Sequence, residues 1–315
     1  WNFLNFKDFL FAISHYLRIR KVQVPECYFR VFQLKYLIYE ELFTGLNFGM
    51  AMIGLINYRF FKKLKQLGIR IETSINWFEN QGMDKGWNRG LHDFFPESIK
   101  KGYLGMIISR HYLPMFPTLA EAKANVLPDT LLVVGTGLKE SIKEFYPGLS
   151  VQTAPAFRFQ GVYRNFPKRN SSKDLMVLVV LYSILKEAVT TLKFALETSL
   201  LCEKDLSIKW NIKPHPLLSK LKLFKVLDRP LPENWTWQDG DFHECLNEVD
   251  ILMGSASSTC IEALARGKFV VIIGNPIGIT HNPIPPSIPE EHWKLCYSPC
   301  EVTDTIKLYE KRPKK

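Results

Sequence analysis

The alternation of apolar and polar positions divides this chain into three stretches. Through residue 66 or so, apolar and aromatic residues recur at helical spacing. Phe3-Leu4, Phe6, Phe9-Leu10-Phe11 and Ile13 begin the pattern, and the segments 30–43 and 53–67 continue it up to the stop signal at Gly68. A stripe of this kind reads as core, and the lesser reading is a membrane-surface face, because basic residues interleave with the aromatics.

From residue 69 short apolar runs alternate with helical patterns. Strands are predicted over 69–77, 102–109, 131–135 and 151–156, and helices over 87–94 and 138–145. The segment 157–174, with Arg158, Arg164, Pro167 and Lys168 to Ser172, reads as an interdomain linker. The pattern then restarts. Strands over 175–182 and 206–212, a long helix over 184–201 and a weak one over 217–224 precede a loop with Trp235 and Trp237. A helix over 242–249 follows, and a proline-rich tail turns helical toward Tyr309.

One element organises this last third. Ile251 to Met253 is a short apolar strand, Gly254 breaks it, a helix runs from about Ser258 to Gly267, and Phe269 to Ile273 is a second strand. Strand, turn, helix, strand is the grammar of a parallel sheet. Such a turn offers amides and hydroxyls at a helix start, where phosphates bind, beyond the carboxyl ends of the strands, where α/β sheets take ligands. The predicted fold is therefore α/β, with two Rossmann-like domains. They are an N-terminal domain over 1–165, helical at its start, and a C-terminal domain over 173–315, with a cleft between them.

Composition changes the picture at two points. The 315 residues suffice for two domains, and a net charge of +10 favours an anionic partner such as a phosphorylated substrate or an acidic bilayer. The basic residues form no arm of the kind that holds nucleic acid. The six cysteines are dispersed, complete no zinc pattern and read as reduced thiols. No leader is visible, no apolar run is long enough to cross a membrane, and the chain begins at Trp1, as a truncated one would.

Candidate chemistry gathers in three places. His215, between Pro214 and Pro216 after a strand, stands beyond the sheet edge on a stiffened backbone. Gly254, Ser255, Ser257, Ser258 and Thr259 form a hydroxyl-rich turn, and Glu262 is either the partner of a Thr259 capping box or a ribose contact. Glu79 follows a strand on a polar loop with Asn80, Gln81, Gly82 and Asp84, placed as a general base would be. Arg110 and His111, and the weaker turn at Gly135, are further candidates for the same cleft. Neither a P-loop nor a serine nucleophile elbow occurs.

These residues carry a resemblance. The His-Pro pair and the Ser-Ser turn of a second α/β domain resemble GT-B glycosyltransferases, and more narrowly are similar to polysialyltransferases and Kdo transferases. The segments 77–81, 102–103, 109–112 and 154–160 look like bacterial lipopolysaccharide and capsule biosynthesis proteins. The resemblance implies an acceptor-side first domain and a nucleotide-sugar-binding second domain, and a metal-independent glycosyltransferase without cofactor, using a nucleotide-activated donor, CMP-linked by preference. It also implies a saccharide or lipid-linked acceptor and a cytoplasmic site, peripheral at the inner membrane. His215 and Ser257-Ser258 would hold the donor phosphate and Glu79 would be the base, although Asn80-Gln81-Gly82 departs from the acidic pair those enzymes carry. A sugar-nucleotide epimerase, a CDP-glycerol-type transferase and a non-catalytic scaffold are the alternatives.

Overall fold

The computed structural model describes residues 3–43, 45–166, 174–203, 205–227, 230–255 and 257–312, with backbone alone for 45–48. The predicted basic positions Lys168, Arg169, Lys314 and Lys315, with Asn170, Ser171, Ser172 and Ala256, lie outside the described residues. The chain forms two compact units, Trp1–Met106 with Leu113–Ala156, and Ile107–Tyr112 with Phe157–Lys315.

The first unit holds a four-stranded parallel sheet in the order β1 (Thr73–Trp77), β2 (Ile99–Leu104), β3 (Thr130–Val133), β4 (Val151–Thr153). Two helices, Gly45–Gln66 and Gly82–Phe94, pack closely on each other. Glycine makes the crossing: a Cβ on Gly86 would lie 1.8 Å from the Gly54 carbonyl oxygen, and one on Gly54 would lie 2.3 Å from that of Gly82. Below the crossing Phe61, Leu64, Leu91 and Phe95 form a small core. The second helix starts five residues before the predicted position. Gln81 caps it, and Asp84, read from the sequence as a loop acid, turns its carboxylate back to the Glu79 and Gln81 amides at 3.0 Å each.

The aromatic stripe of residues 3–43 departs from the expectation of a core. Its helices are present at Phe6–Ile13, His15–Ile19 and Lys35–Phe43, with a two-residue hairpin at Tyr28–Phe29 and Phe32–Gln33. Most of its large apolar side chains are nevertheless exposed. Periodicity identifies residues that share a face; here an ion pair decides which way the face turns. Asp8 is fully buried against Arg59, 2.7 Å away.

The second unit is one all-parallel sheet of β5 (Leu175–Val180), β6 (Ile208–Lys213), β7 (Trp235–Trp237), β8 (Ile251–Gly254), β9 (Phe269–Ile273) and β10 (Trp293–Cys296). The spatial order β10-β9-β8-β5-β6-β7 is the Rossmann order, 3-2-1-4-5-6. Strands β5, β8 and β9 are buried almost throughout, as expected where helices cover both faces. One face packs Val177, Val179, Trp210 and Met253 beneath the helices Leu185–Cys202 and Pro299–Glu310; the other packs Leu178, Leu252 and Val270 against Leu246 and Cys260. The predicted loop at Trp235 and the predicted coil before Tyr309 are corrected. Both hold short edge strands, β7 and β10.

Candidate functional site

Strand order reverses between β5 and β8, and there the two loops that leave the sheet part to open a crevice. Gly254 closes β8 against β5 so tightly that a Cβ would lie 2.4 Å from Val180 Cγ2. A cavity of about 510 Å³ opens at the carboxyl edge, lined by Val180 to Tyr182 after β5, Lys213 to Pro216 after β6, Trp237 and Asp239 to Asp241 after β7, and Ser255, Ser257 and Thr259 after β8, with Lys220 among the rest. Every lining residue belongs to the second unit.

Within it, His215 has a defined orientation. The Leu217 N–H donates to Nδ1 at 3.2 Å, so in the neutral ring the proton sits on Nε2, which is left as a donor. The Lys213 ammonium donates to the carbonyls of Gln238, at 3.3 Å, and Gly240, bracing the loop after β7. Lys220 lies 4.7 Å above the Trp237 ring, whose Nε1–H donates to Asp239 Oδ1 at 2.7 Å. Asp241 caps the helix Phe242–Asn247 through the His243 and Glu244 amides. Burial opposes its charge, but those two amides and Arg164 outweigh it and hold the carboxyl below the usual carboxylate value.

The hydroxyl turn differs from its predicted form. The helix starts at Thr259 and spans only seven residues, with Ser258 ahead of it in the α region and no side-chain cap. Its first amides are engaged within the turn: Thr259 N–H donates to Ser257 Oγ at 3.3 Å and Cys260 N–H to the Ser257 carbonyl at 3.1 Å. Hydroxyls rather than helix amides therefore face the cavity. The Thr259 hydroxyl donates to Ser257 Oγ at 2.9 Å, which leaves the Ser257 proton for a ligand. The predicted Thr259–Glu262 capping box is absent, because Thr259 lies inside the helix, not ahead of it.

Glu262 turns away to His243, with 3.2 Å between Oε2 and Nε2 and both side chains nearly sealed from water. Burial pushes the Glu262 pKa up to about 7, against the pull of Arg158. Burial also lowers that of His243, opposed by Asp241. The Gly161 backbone lies against the His243 ring. The segment read as a linker is seated around this pair. Arg158 donates to Ser258 Oγ at 3.4 Å, Arg164 pairs with Asp241 at 3.4 Å, and Arg266 donates to the Val162 and Arg164 carbonyls at 3.1 and 2.6 Å.

The remaining predicted residues stand elsewhere. Glu79 follows β1 in the first unit, its two carboxylate oxygens receiving Trp77 Nε1–H at 2.6 Å and Gln81 Nε2–H at 2.7 Å. Asn80, at φ 57°, is buried and donates to the Pro114 carbonyl at 3.1 Å while accepting from Lys85 at 2.7 Å. Lys85 in turn pairs with Glu121; burial lowers the Lys85 pKa against that partner's pull. Arg110 and His111 belong to the second unit, where His111 Nδ1 lies 2.9 Å from the Thr280 carbonyl. Gly135 precedes a four-residue helix, and a Cβ there would meet nothing. Among the described residues, no group of three or more His, Cys, Asp or Glu side chains is placed to hold a metal ion.

The structure thus brings the predicted His215, Pro216, Ser255, Ser257 and Thr259 to one cavity, whereas Glu262 pairs with His243. Tyr182, Lys220, Trp237, Asp239 and Asp241 also line it and are not among the residues predicted from the sequence. A signal for the last three exists: Trp235-Thr-Trp237 alternates as a short strand does, and Gln-Asp-Gly-Asp follows as a turn.

No protein-family model matches this chain, and no curated protein matches it in sequence. Solved structures do resemble it. S. aureus MnaA in complex with UDP has a TM-score of 0.58 at 11% identity, covering 84% of this chain and 73% of its own. A Listeria monocytogenes protein assigned as UDP-N-acetylglucosamine 2-epimerase has 0.54 at 12%, covering 82% and 72%. The E. coli trehalose-6-phosphate protein bound with UDP-2-fluoro glucose has 0.53 at 9%, covering 87% and 73%. The fold of this chain is that of the GT-B class, two Rossmann-like α/β domains.

Proposed function

We propose that the cavity of the second unit binds the nucleotide of an activated sugar, and that the protein is a glycosyltransferase acting on a saccharide or lipid-linked saccharide. One observation carries this reading. The His215 ring and the Ser255, Ser257 and Thr259 hydroxyls line a single cavity with Lys213 and Lys220, at the switch point of a Rossmann sheet.

The chemistry of the lining supports a nucleotide. His215 Nε2–H, the Ser257 hydroxyl and the Lys220 ammonium suit phosphate oxygens, whose negative charge grows as the sugar bond breaks. The Asp239 and Asp241 carboxylates, which repel phosphate, suit the hydroxyls of a ribose. Tyr182, Trp237 and Phe242 offer faces for a base. In this reading the chain's own donors stabilise the leaving group without a metal ion. Glu79, oriented by Trp77 and Gln81, takes the proton of the acceptor hydroxyl.

The motif resemblance favours a CMP-linked donor such as CMP-Kdo or CMP-sialic acid, whereas two of the similar structures hold UDP or a UDP-sugar. Incubation of the protein with CMP-sialic acid, CMP-Kdo and UDP-N-acetylglucosamine, with a saccharide acceptor, separates the readings by mass spectrometry. A product heavier than the acceptor by one sugar is expected. An epimerised sugar nucleotide without transfer would instead support the epimerase reading, which the similarity to the Listeria protein favours. Neither product from any donor would leave a scaffold.

A further inference from the structure

The N-terminal helices present a surface that this chemistry does not use. Ser14 joins the helices Phe6–Ile13 and His15–Ile19 in α conformation (φ −63°, ψ −7°), so one helical register runs through both. Asp8, Ala12 and Ile19 face inward. Phe6, Leu10, Ile13 and Leu17 repeat at helical spacing on the opposite side and are between 47% and 74% exposed. The usual amphipathic arrangement is inverted.

A buried carboxylate fastens the helix. Asp8 receives the Asn5 N–H at 3.0 Å and pairs with Arg59 at 2.7 Å and Lys63 at 3.8 Å. The apolar stripe is left outward, where contact with water is unfavourable relative to burial. The hairpin also exposes Tyr28, Phe29, Val31 and Phe32, by 61% to 86%, and the helix Lys35–Phe43 exposes Tyr36 and Leu37.

Cations accompany these rings. Lys7, Arg18, Arg20, Lys21 and Arg30 fall within residues 3–43, besides Lys35, which is paired with Glu26. The Arg20 guanidinium lies 4.5 Å from the Tyr16 ring centre, and that of Arg30 lies 5.6 Å from Phe29. Among the acids of the stretch, Asp8 is taken up by Arg59 from outside it and Glu26 by Lys35. Exposed aromatics interleaved with arginine and lysine suit the headgroup layer of an acidic bilayer, where rings enter the acyl boundary and cations meet lipid phosphate. Among the described residues no helix is long and apolar enough to cross a membrane, so the contact is one of lying on the surface.

We propose that this face docks the protein on an anionic lipid surface. The charge of the face selects lipid over an uncharged apolar partner or a second copy of the same basic face. The test uses the whole chain with vesicles of phosphatidylcholine alone, or with a third of phosphatidylglycerol. Co-sedimentation with the acidic vesicles is expected, at least about tenfold stronger than with the neutral ones and weakened by salt. The combined variant F29S/V31S/F32S and the combined variant R20Q/K21Q/R30Q should each lose binding about tenfold or more at an unchanged melting temperature. A tryptophan placed by V31W should shift its emission to the blue on the acidic vesicles, a readout that needs no deletion. Absence of binding to acidic vesicles, or wild-type binding by both combined variants, overturns the proposal. So does a dimer in sedimentation that F29S/V31S/F32S dissociates while the chain ignores vesicles.

Discussion

The backbone N–H of Leu217 points at Nδ1 of His215 from 3.2 Å, and this contact decides which ring nitrogen carries the proton. Pro214 and Pro216 stiffen the backbone on both sides, so the ring is held at small entropic cost. Nitrogen-15 NMR at a pH where the ring is neutral should show the Nε2–H tautomer at His215. Addition of a nucleotide should shift the Nε2 resonance more than the Nδ1 resonance. An Nδ1–H tautomer would remove the donor assigned to phosphate.

Glu262 and His243 give the fold a pH dependence whose sign is fixed. Glu262 titrates near 7 when folded and near 4.5 in its ordinary state, so the folded protein holds an extra proton between these values. Its contribution is complete below about pH 4.5 and is lost as pH rises through 7. His243, lowered from 6.5 by burial, acts oppositely and loses stability as pH falls. Asp241, Arg158, Arg164 and Arg266 complete the charged surroundings. Replacing Glu262 by Gln separates the two: its melting temperature should exceed that of wild type at pH 8, and the gap should close toward pH 4.5. A constant gap across this range would contradict the assignment.

The first unit depends on two helices meeting backbone to backbone. Gly86→Ala places a methyl group 1.8 Å from the Gly54 carbonyl oxygen, so the helices must separate. A loss of about 1–3 kcal/mol or more is expected, the scale of overpacking in a tight core. Gly135→Ala, where a Cβ meets nothing, should change the melting temperature little. Denaturant midpoints of the two variants check this; equal effects would mean the crossing is loose.

Glu79→Gln keeps the shape of the side chain and can still accept one of the two N–H groups of Trp77 and Gln81, but it removes the proton acceptor. Transfer should be abolished while nucleotide affinity stays that of wild type. Normal turnover in this variant would discard the base role, and lost affinity would place Glu79 in donor binding instead.

The second sheet was largely legible, because β5, β8 and β9 are buried apolar runs bounded by turn residues, and the His-Pro and Ser-Ser turns follow their strands directly. The edge strands were not: three residues at Trp235 and four at Trp293 are too short for alternation to stand out. The N-terminal stripe misled because its orientation depends on Asp8 reaching Arg59, fifty-one residues away. Glu262 misled for a related reason. Its partner His243 lies on another helix, and local spacing offered only Thr259.

Titration calorimetry of nucleotide onto wild type and His215→Ala tests the central claim most directly. CMP, UDP or a sugar conjugate of one of them should bind wild type, and the variant should bind it about 1–3 kcal/mol more weakly, the scale of a charge-assisted hydrogen bond, at an unchanged melting temperature. Equal affinity in the two proteins, or no heat from any nucleotide, would contradict a donor site at the edge of the second sheet.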